Sequence, residues 1–240
     1  MTETKQMVDL VVIIDTSSSM KDEALALSEA TEAAIEAVTI SCPLDLRVEW
    51  LGIEGTWKAT RFKQTLRKYL TEQCKVDETE LRGRKKGQVK GGGAQEDGAR
   101  AIEDVSSHFD WRAGATRTIF YLGDEALEGG GSVEEKEDIE AANLAIQKAK
   151  EAEVIVHTYC GTTNAVYKEK LQQEYARVAQ ETGGRAFTKE GISDFSEVLK
   201  EIICTNPEQA LMVHGKTQQE VVLTYVNIVV NKEYGDRLEL

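Results

Sequence analysis

Short apolar runs alternate with longer segments whose apolar residues recur every three or four positions, and the alternation persists through most of the chain. Residues 8–14 (VDLVVII) read as a strand buried on both faces, because almost nothing polar interrupts the run. Residues 21–40 carry Ala, Leu and Ile at helical spacing, with Ser19 placed as the N-cap and acids in the first turn. The same reading predicts further strands at 46–53, 118–122, 154–159 and 185–188. It predicts helices at 62–72, 96–109, 133–152, 165–182 and 192–203. Residues 74–90 are charged and irregular, and predict a mobile loop. Strands and helices alternating in this way predict an α/β fold: a doubly wound, mostly parallel central sheet with helices on both faces.

The pattern breaks near Pro207, so residues 7–204 are expected as one domain and 205–240 as a β-rich extension. The extension contains QEVVLTYVNIVVNK, nearly continuous in apolar and β-branched residues. Both faces of such a strand need cover, and left open it would be an aggregation hazard. The 219–231 strand is therefore expected to pack on its own domain, or to form an oligomer contact with another copy.

Charge narrows the classes of partner. With 42 acidic against 29 basic residues the net charge is −13, which argues against nucleic acid or an anionic membrane surface, since both need a basic face. No apolar run reaches the length of a membrane span, and the start, MTETKQMVDL, has no leader-like pattern. A cytoplasmic location is the resulting expectation. Cys42, Cys74, Cys160 and Cys204 form no CxxC pair, which argues against a zinc site, and in a reducing compartment most are expected as packing residues. The three histidines do not cluster, so the usual catalytic base is missing.

Parallel sheets bind ligands beyond the carboxyl ends of their strands, so the residues that follow each strand are the ones to inspect. After the first come Asp15, Ser17 and Ser19; after the second, Glu54 to Trp57. After 118–122 come Gly123, Asp124 and Glu125, and after 154–159 come Cys160, Gly161, Thr162, Thr163 and Asn164. Two carboxylates brought together at one rim repel, and a shifted pKa, a basic partner or a cation must compensate. Hydroxyl and carboxylate oxygens at roughly 2.0–2.1 Å, with waters retained, suit Mg²⁺. Each residue also has a plainer reading: Ser19 as a helix cap, Asp124 as a turn residue, and Gly91 to Gly93 as a flexible loop.

Taken in order, these segments resemble a von Willebrand factor type A domain. DTSSSM at 15–20 matches that family's Asp-x-Ser-x-Ser signature after the first hydrophobic strand. IFYLGDEA at 119–126, VIVHTYCG at 154–161 and ARVAQETGGRAF at 176–187 follow, and the resemblance covers roughly residues 7 to 204. It implies a Rossmann-like doubly wound sheet of about six strands, with one short antiparallel edge strand after the second. It also implies a metal-ion-dependent adhesion site made from Asp15, Ser17, Ser19 and Asp124, whose shell is completed by an acidic group of the partner. The family's second loop supplies a threonine, and none stands in KGGGAQEDGARAI. Ala94 and Gln95 occupy those positions, followed by Glu96 and Asp97. Those two acids either approach the ion, directly or through water, or begin the next helix, where acids are favoured.

The expected function is a non-enzymatic, divalent-metal-dependent protein-binding module that assembles or regulates an intracellular complex. The cofactor would be Mg²⁺, with Mn²⁺ or Ca²⁺ as substitutes, and the partner a protein with an exposed Asp or Glu. Trp57, Thr162, Thr163 and Asn164 would form the partner-facing rim. Two alternatives stand beside it: a Mg²⁺-dependent phosphatase or phosphotransferase with Asp15 as nucleophile, and a scaffold whose metal site has decayed.

Overall fold

Among the described residues six strands form one sheet, and all of them run in the same direction. The computed structural model describes residues 6–42, 44–85, 87–88, 93–131, 135–162 and 166–188, with Lys200 and Cys204. Thr163, Asn164, all but Lys200 of the helix expected over 192–203, and the extension 205–240 with its 219–231 strand lie outside the described residues. The strands are β1 (Gln6–Ile14), β2 (Leu44–Gly52), β3 (Gln64–Thr65), β4 (Thr116–Gly123), β5 (Val154–Cys160) and β6 (Ala186–Thr188). The helices are α1 (Lys21–Ser41), α2 (Leu66–Glu72), α3 (Gly98–His108), α4 (Lys136–Glu151) and α5 (Lys168–Glu181).

The strand order is β3-β2-β1-β4-β5-β6, the doubly wound α/β arrangement, consistent with a type A fold. The chain builds outward from β1 to β3, then returns to the other side of β1 and builds outward again. The first crossover therefore lays α1 on one face and the later ones lay α2 to α5 on the other, and a crevice opens where the order reverses, at the carboxyl ends of β1 and β4. Ile14 pairs with Leu122 there, so the residue that follows β1, Asp15, and the residue that follows β4, Asp124, emerge at the same rim.

The edge strand differs from the expectation. β3 is parallel to β2, not antiparallel, through Leu51–Gln64 and Gly52–Thr65. It stops after two residues because Thr65 caps α2, its side chain accepting from the Lys68 N–H.

Both faces of the sheet are buried, which explains why its central strands read as unbroken apolar runs. Val11, Ile13, Ile119, Tyr121 and Val156 share one core with Leu70 of α2, Ile102 of α3, Ile146 of α4 and Tyr175 of α5. Leu10, Val12, Ile14, Phe120 and Leu122, at the alternate positions, are buried as well. Asp9 interrupts β1 at the amino end of the sheet and is nevertheless 0% exposed. Arg47 and Arg112 enclose it: Arg47 Nη2 lies 2.8 Å from Oδ2, Arg112 Nε 2.6 Å from Oδ1, and the Arg112 N–H donates to Oδ2 at 2.8 Å. Burial alone would raise its pKa, but the hydrogen bonds from both arginines and the charge of Arg47 hold it below the ordinary value.

The charged segment expected as a loose loop is tied down over its described part. Asp104, 1% exposed, accepts from the Arg82 N–H at 2.7 Å and the Gly83 N–H at 2.9 Å. Arg67 donates to the Gly83 carbonyl at 2.6 Å. Cys74 and Cys160 are free thiols. Cys42 and Cys204 are disulfide-bonded, against the expectation of packing thiols in a reducing compartment. No described helix is long and apolar enough to cross a membrane.

Candidate metal centre

The first loop is stitched to the end of β4 by the Asp15 N–H, which donates to the Leu122 carbonyl at 2.8 Å. Its carboxylate then folds back on its own loop, where Oδ1 accepts from the Ser17 N–H at 2.6 Å. Ser17 Oγ and Ser19 Oγ are 2.7 Å apart, and Ser19 Oγ donates to Asp124 Oδ1 at 3.2 Å. One line of polar groups thus runs from Asp15 through both serines to Asp124. The cap reading of Ser19 does not hold. A 3-10 turn, Ser18–Met20, precedes α1, whose N-cap is Met20 with no side-chain bond, and the Ser19 hydroxyl is spent on its neighbours instead.

Asp15 is 1% exposed, and its second oxygen, Oδ2, has no hydrogen-bond partner. A buried carboxylate oxygen left without a donor is costly, and the cost is greatest when the group is ionised. Burial drives the Asp15 pKa well above the ordinary carboxylate range; the Ser17 N–H works against this, and the charges of Asp124 and Glu96 add to it. Burial also raises Asp124 to about 6, with Glu125 and Glu23 contributing against the Ser19 hydrogen bond. Glu96 is pushed up to about 7 by burial and by the charges of Glu125, Asp124 and Asp97. The charges that act on these three groups are those of other acids, so the rim concentrates negative charge that a cation would relieve.

The second loop lies against the first, the Thr16 N–H donating to the Gln95 carbonyl at 3.2 Å. Its two acids have different surroundings. Asp97 is 0% exposed and tied to Arg84: Oδ2 accepts from Nε at 2.9 Å, Oδ1 pairs with Nη2, and Oδ1 also accepts from the Gly129 N–H at 2.9 Å. It precedes α3 without capping it by its side chain. Its carboxylate joins the second loop to the third and to the segment around Arg84. Glu96 instead faces Asp124 and Glu125.

Two residues of this cluster have no role in the sequence reading. Glu125 reaches back over the third loop, its Oε2 accepting from the Gly131 N–H at 2.6 Å. Glu23, in the first turn of α1, accepts from the Tyr159 hydroxyl at 2.9 Å. Adjacency to Asp124 was a local signal for the first; no local signal existed for the second. Of the rim residues, Trp57 is half-buried with its indole N–H buried and unpaired, and Thr162 is 6% exposed.

The donors suit a small, hard divalent ion: two carboxylates, one with a free buried oxygen, and two hydroxyls that face each other. Among the described residues no three Asp, Glu, His or Cys side chains form a metal cage by themselves. A site of this composition would need the serine hydroxyls and retained waters, as Mg²⁺ prefers.

No protein-family profile matches the sequence, and no curated protein matches it. Similarity is found among solved structures. Proximal thread matrix protein 1 from the mussel byssus, in a form with a zinc-occupied MIDAS motif, is 12% identical with a TM-score of 0.46. That match covers 83% of this chain and 46% of the mussel protein, so the chain spans about half of its length. An aerotolerance-related membrane protein from Bacteroides fragilis is 14% identical with a TM-score of 0.45, over 81% of this chain and 97% of that one.

Proposed function

We propose that the protein is a non-enzymatic binding module that engages a protein partner through a divalent cation held by Asp15, Ser17, Ser19 and Asp124. Mg²⁺ is the first choice of ion, with Mn²⁺ and Ca²⁺ as substitutes. An Asp or Glu side chain of the partner would complete the ion's shell. The observation that carries this reading is Asp15 Oδ2, fully buried, without a donor, and surrounded by other acids. A cation supplies the missing partner and neutralises two of the converging charges at once.

Glu96 follows Ala94 and Gln95, which occupy the positions of the family's threonine, and stands near enough to act on Asp15 and Asp124 electrostatically. The module assembles or regulates a complex rather than transforming a substrate. Residues 7–204 form the binding domain in this reading, with 205–240 as a separate extension. The disulfide-bonded Cys42 and Cys204 would suit an oxidising compartment better than the cytoplasm.

Calorimetric titration of the chelator-treated protein tests the proposal. One equivalent of Mg²⁺, Mn²⁺ or Ca²⁺ should bind to the wild type and none to Asp15→Ala. Absence of binding by all three ions to the wild type would sink it. Pull-downs with and without chelator, using wild type and Asp15→Ala, then test whether a partner follows the ion.

A further inference from the structure

Two buried tyrosines meet beneath the backbone that carries Asp124. Tyr121 of β4 and Tyr175 of α5 are both 0% exposed, their ring centroids lie 5.6 Å apart, and their hydroxyls share a hydrogen bond. The Tyr175 hydroxyl also donates to the Glu125 carbonyl at 2.8 Å. Gly123 makes room for the pair: a Cβ there would collide with the Tyr121 hydroxyl and lie 2.7 Å from that of Tyr175. The Gly123 carbonyl accepts from the Gly161 N–H at 2.8 Å. The residues before and after Asp124 are thus both held, one from the end of β5 and one from α5. A buried hydroxyl costs free energy unless it is bonded, and a phenylalanine at position 175 would fill the core without that cost. What the hydroxyl adds is its hold on Glu125.

We propose that Tyr175 is a positioning residue for the ion: by fixing the Glu125 carbonyl it sets the Asp124 carboxylate against Asp15, Ser17 and Ser19, and so raises the preference for Mg²⁺ over Ca²⁺. This rests on the metal-dependent binding proposed above. The Asp124 carboxylate reaches the first loop through the Ser19 hydroxyl at 3.2 Å, long for a bond between two oxygens. Its place therefore depends on the backbone beneath it. Mg²⁺ demands near-ideal octahedral geometry at about 2.0–2.1 Å, whereas Ca²⁺ accepts flexible shells at about 2.3–2.6 Å. A third loop released from α5 penalises the smaller ion more.

The test is calorimetric titration of the full chain with Mg²⁺ and with Ca²⁺, well below the melting temperature of every variant. Tyr175→Phe should weaken Mg²⁺ binding about tenfold and Ca²⁺ binding by less than about threefold, the scale of one lost hydrogen bond. Tyr121→Phe removes the neighbouring hydroxyl and leaves the bond to Glu125, so it should shift the Mg²⁺ to Ca²⁺ ratio the same way by less. Val178→Ala empties part of the core on the same helix. It should lower Tm and keep both affinities, which separates positioning from loss of stability. Unchanged Mg²⁺ affinity in Tyr175→Phe, equal loss for the two ions, or the same ratio shift in Val178→Ala would overturn the inference. So would a wild type that takes Ca²⁺ but not Mg²⁺. Failure of the underlying reading looks different: no ion binds the wild type, or Asp15→Ala binds it as well.

Discussion

Asp9, on β1, and Asp15, just beyond its end, are both inaccessible and meet opposite fates. Asp9 is enclosed by two arginines, and its pKa is held down. Because the folded value lies below the unfolded one, its contribution to stability is complete above about pH 4 and is lost as pH falls through the folded value. Asp9→Ala removes the partner shared by two guanidinium groups that still keep Asp110 and Asp45, and should cost about 1–3 kcal/mol and lower Tm by about 5 °C in a thermal melt. Asp15 has no cation among its hydrogen-bond partners, and its pKa is held up instead. An ion bound there must displace protons from Asp15, and from Asp124 at about 6 with Glu96 at about 7 beside it. Mg²⁺ affinity measured by calorimetry should therefore fall as pH drops from about 8 to 5, approaching tenfold per unit for each titrating ligand below its pKa.

At the level of elements, buried carboxylates act as rivets between loops. Asp104 on α3 takes two backbone N–H groups of the segment around Gly83, and Asp97 joins Arg84 to the third loop through Gly129. Asp104→Ala leaves those N–H groups without their partner, at a cost of about 1–3 kcal/mol. The expected result is faster cleavage by trypsin at Arg82 and Arg84, read by mass spectrometry, with the metal site still able to bind. The start of α3 depends on a close approach. A Cβ at Gly98 would lie 2.8 Å from Tyr121 Cε1, inside contact distance of a ring that is fully buried between helix and sheet. Gly98→Ala should destabilise the fold by about 1–3 kcal/mol, measured by urea unfolding.

Taken whole, the molecule has two properties that follow from its architecture. A ligand that binds only the folded chain stabilises it, by about 2.7 kcal/mol at a hundred times its Kd, or roughly 5–10 °C in a protein of this size. Mg²⁺ should raise Tm by that amount in the wild type and leave Asp15→Ala unchanged. Thiol chemistry reads the cysteines. Of the four, only Cys74 and Cys160 should react after denaturation without reductant. Neither should react quickly in the native state near neutral pH, since burial raises them to about 11 and about 12.

By itself the chain determined the alternation of strands and helices, hence the doubly wound sheet, because each element's apolar period is written in consecutive residues. Asp15, Ser17 and Ser19 were legible for the same reason: they occupy one turn after the most apolar strand. Asp124 was legible as the residue beyond another buried strand. Only the tertiary structure decided what those residues touch. The parallel pairing of β3, the Arg84–Asp97 tie, the arginine enclosure of Asp9, and the convergence of Glu96 with Glu125 over Gly130 join residues far apart along the chain. Nothing in a local pattern distinguishes Asp97, which found an arginine, from Glu96, which found Glu125 and Asp124. The fold makes that distinction by setting each side chain's distance to charges on other loops, and those distances determine which carboxylates need a cation.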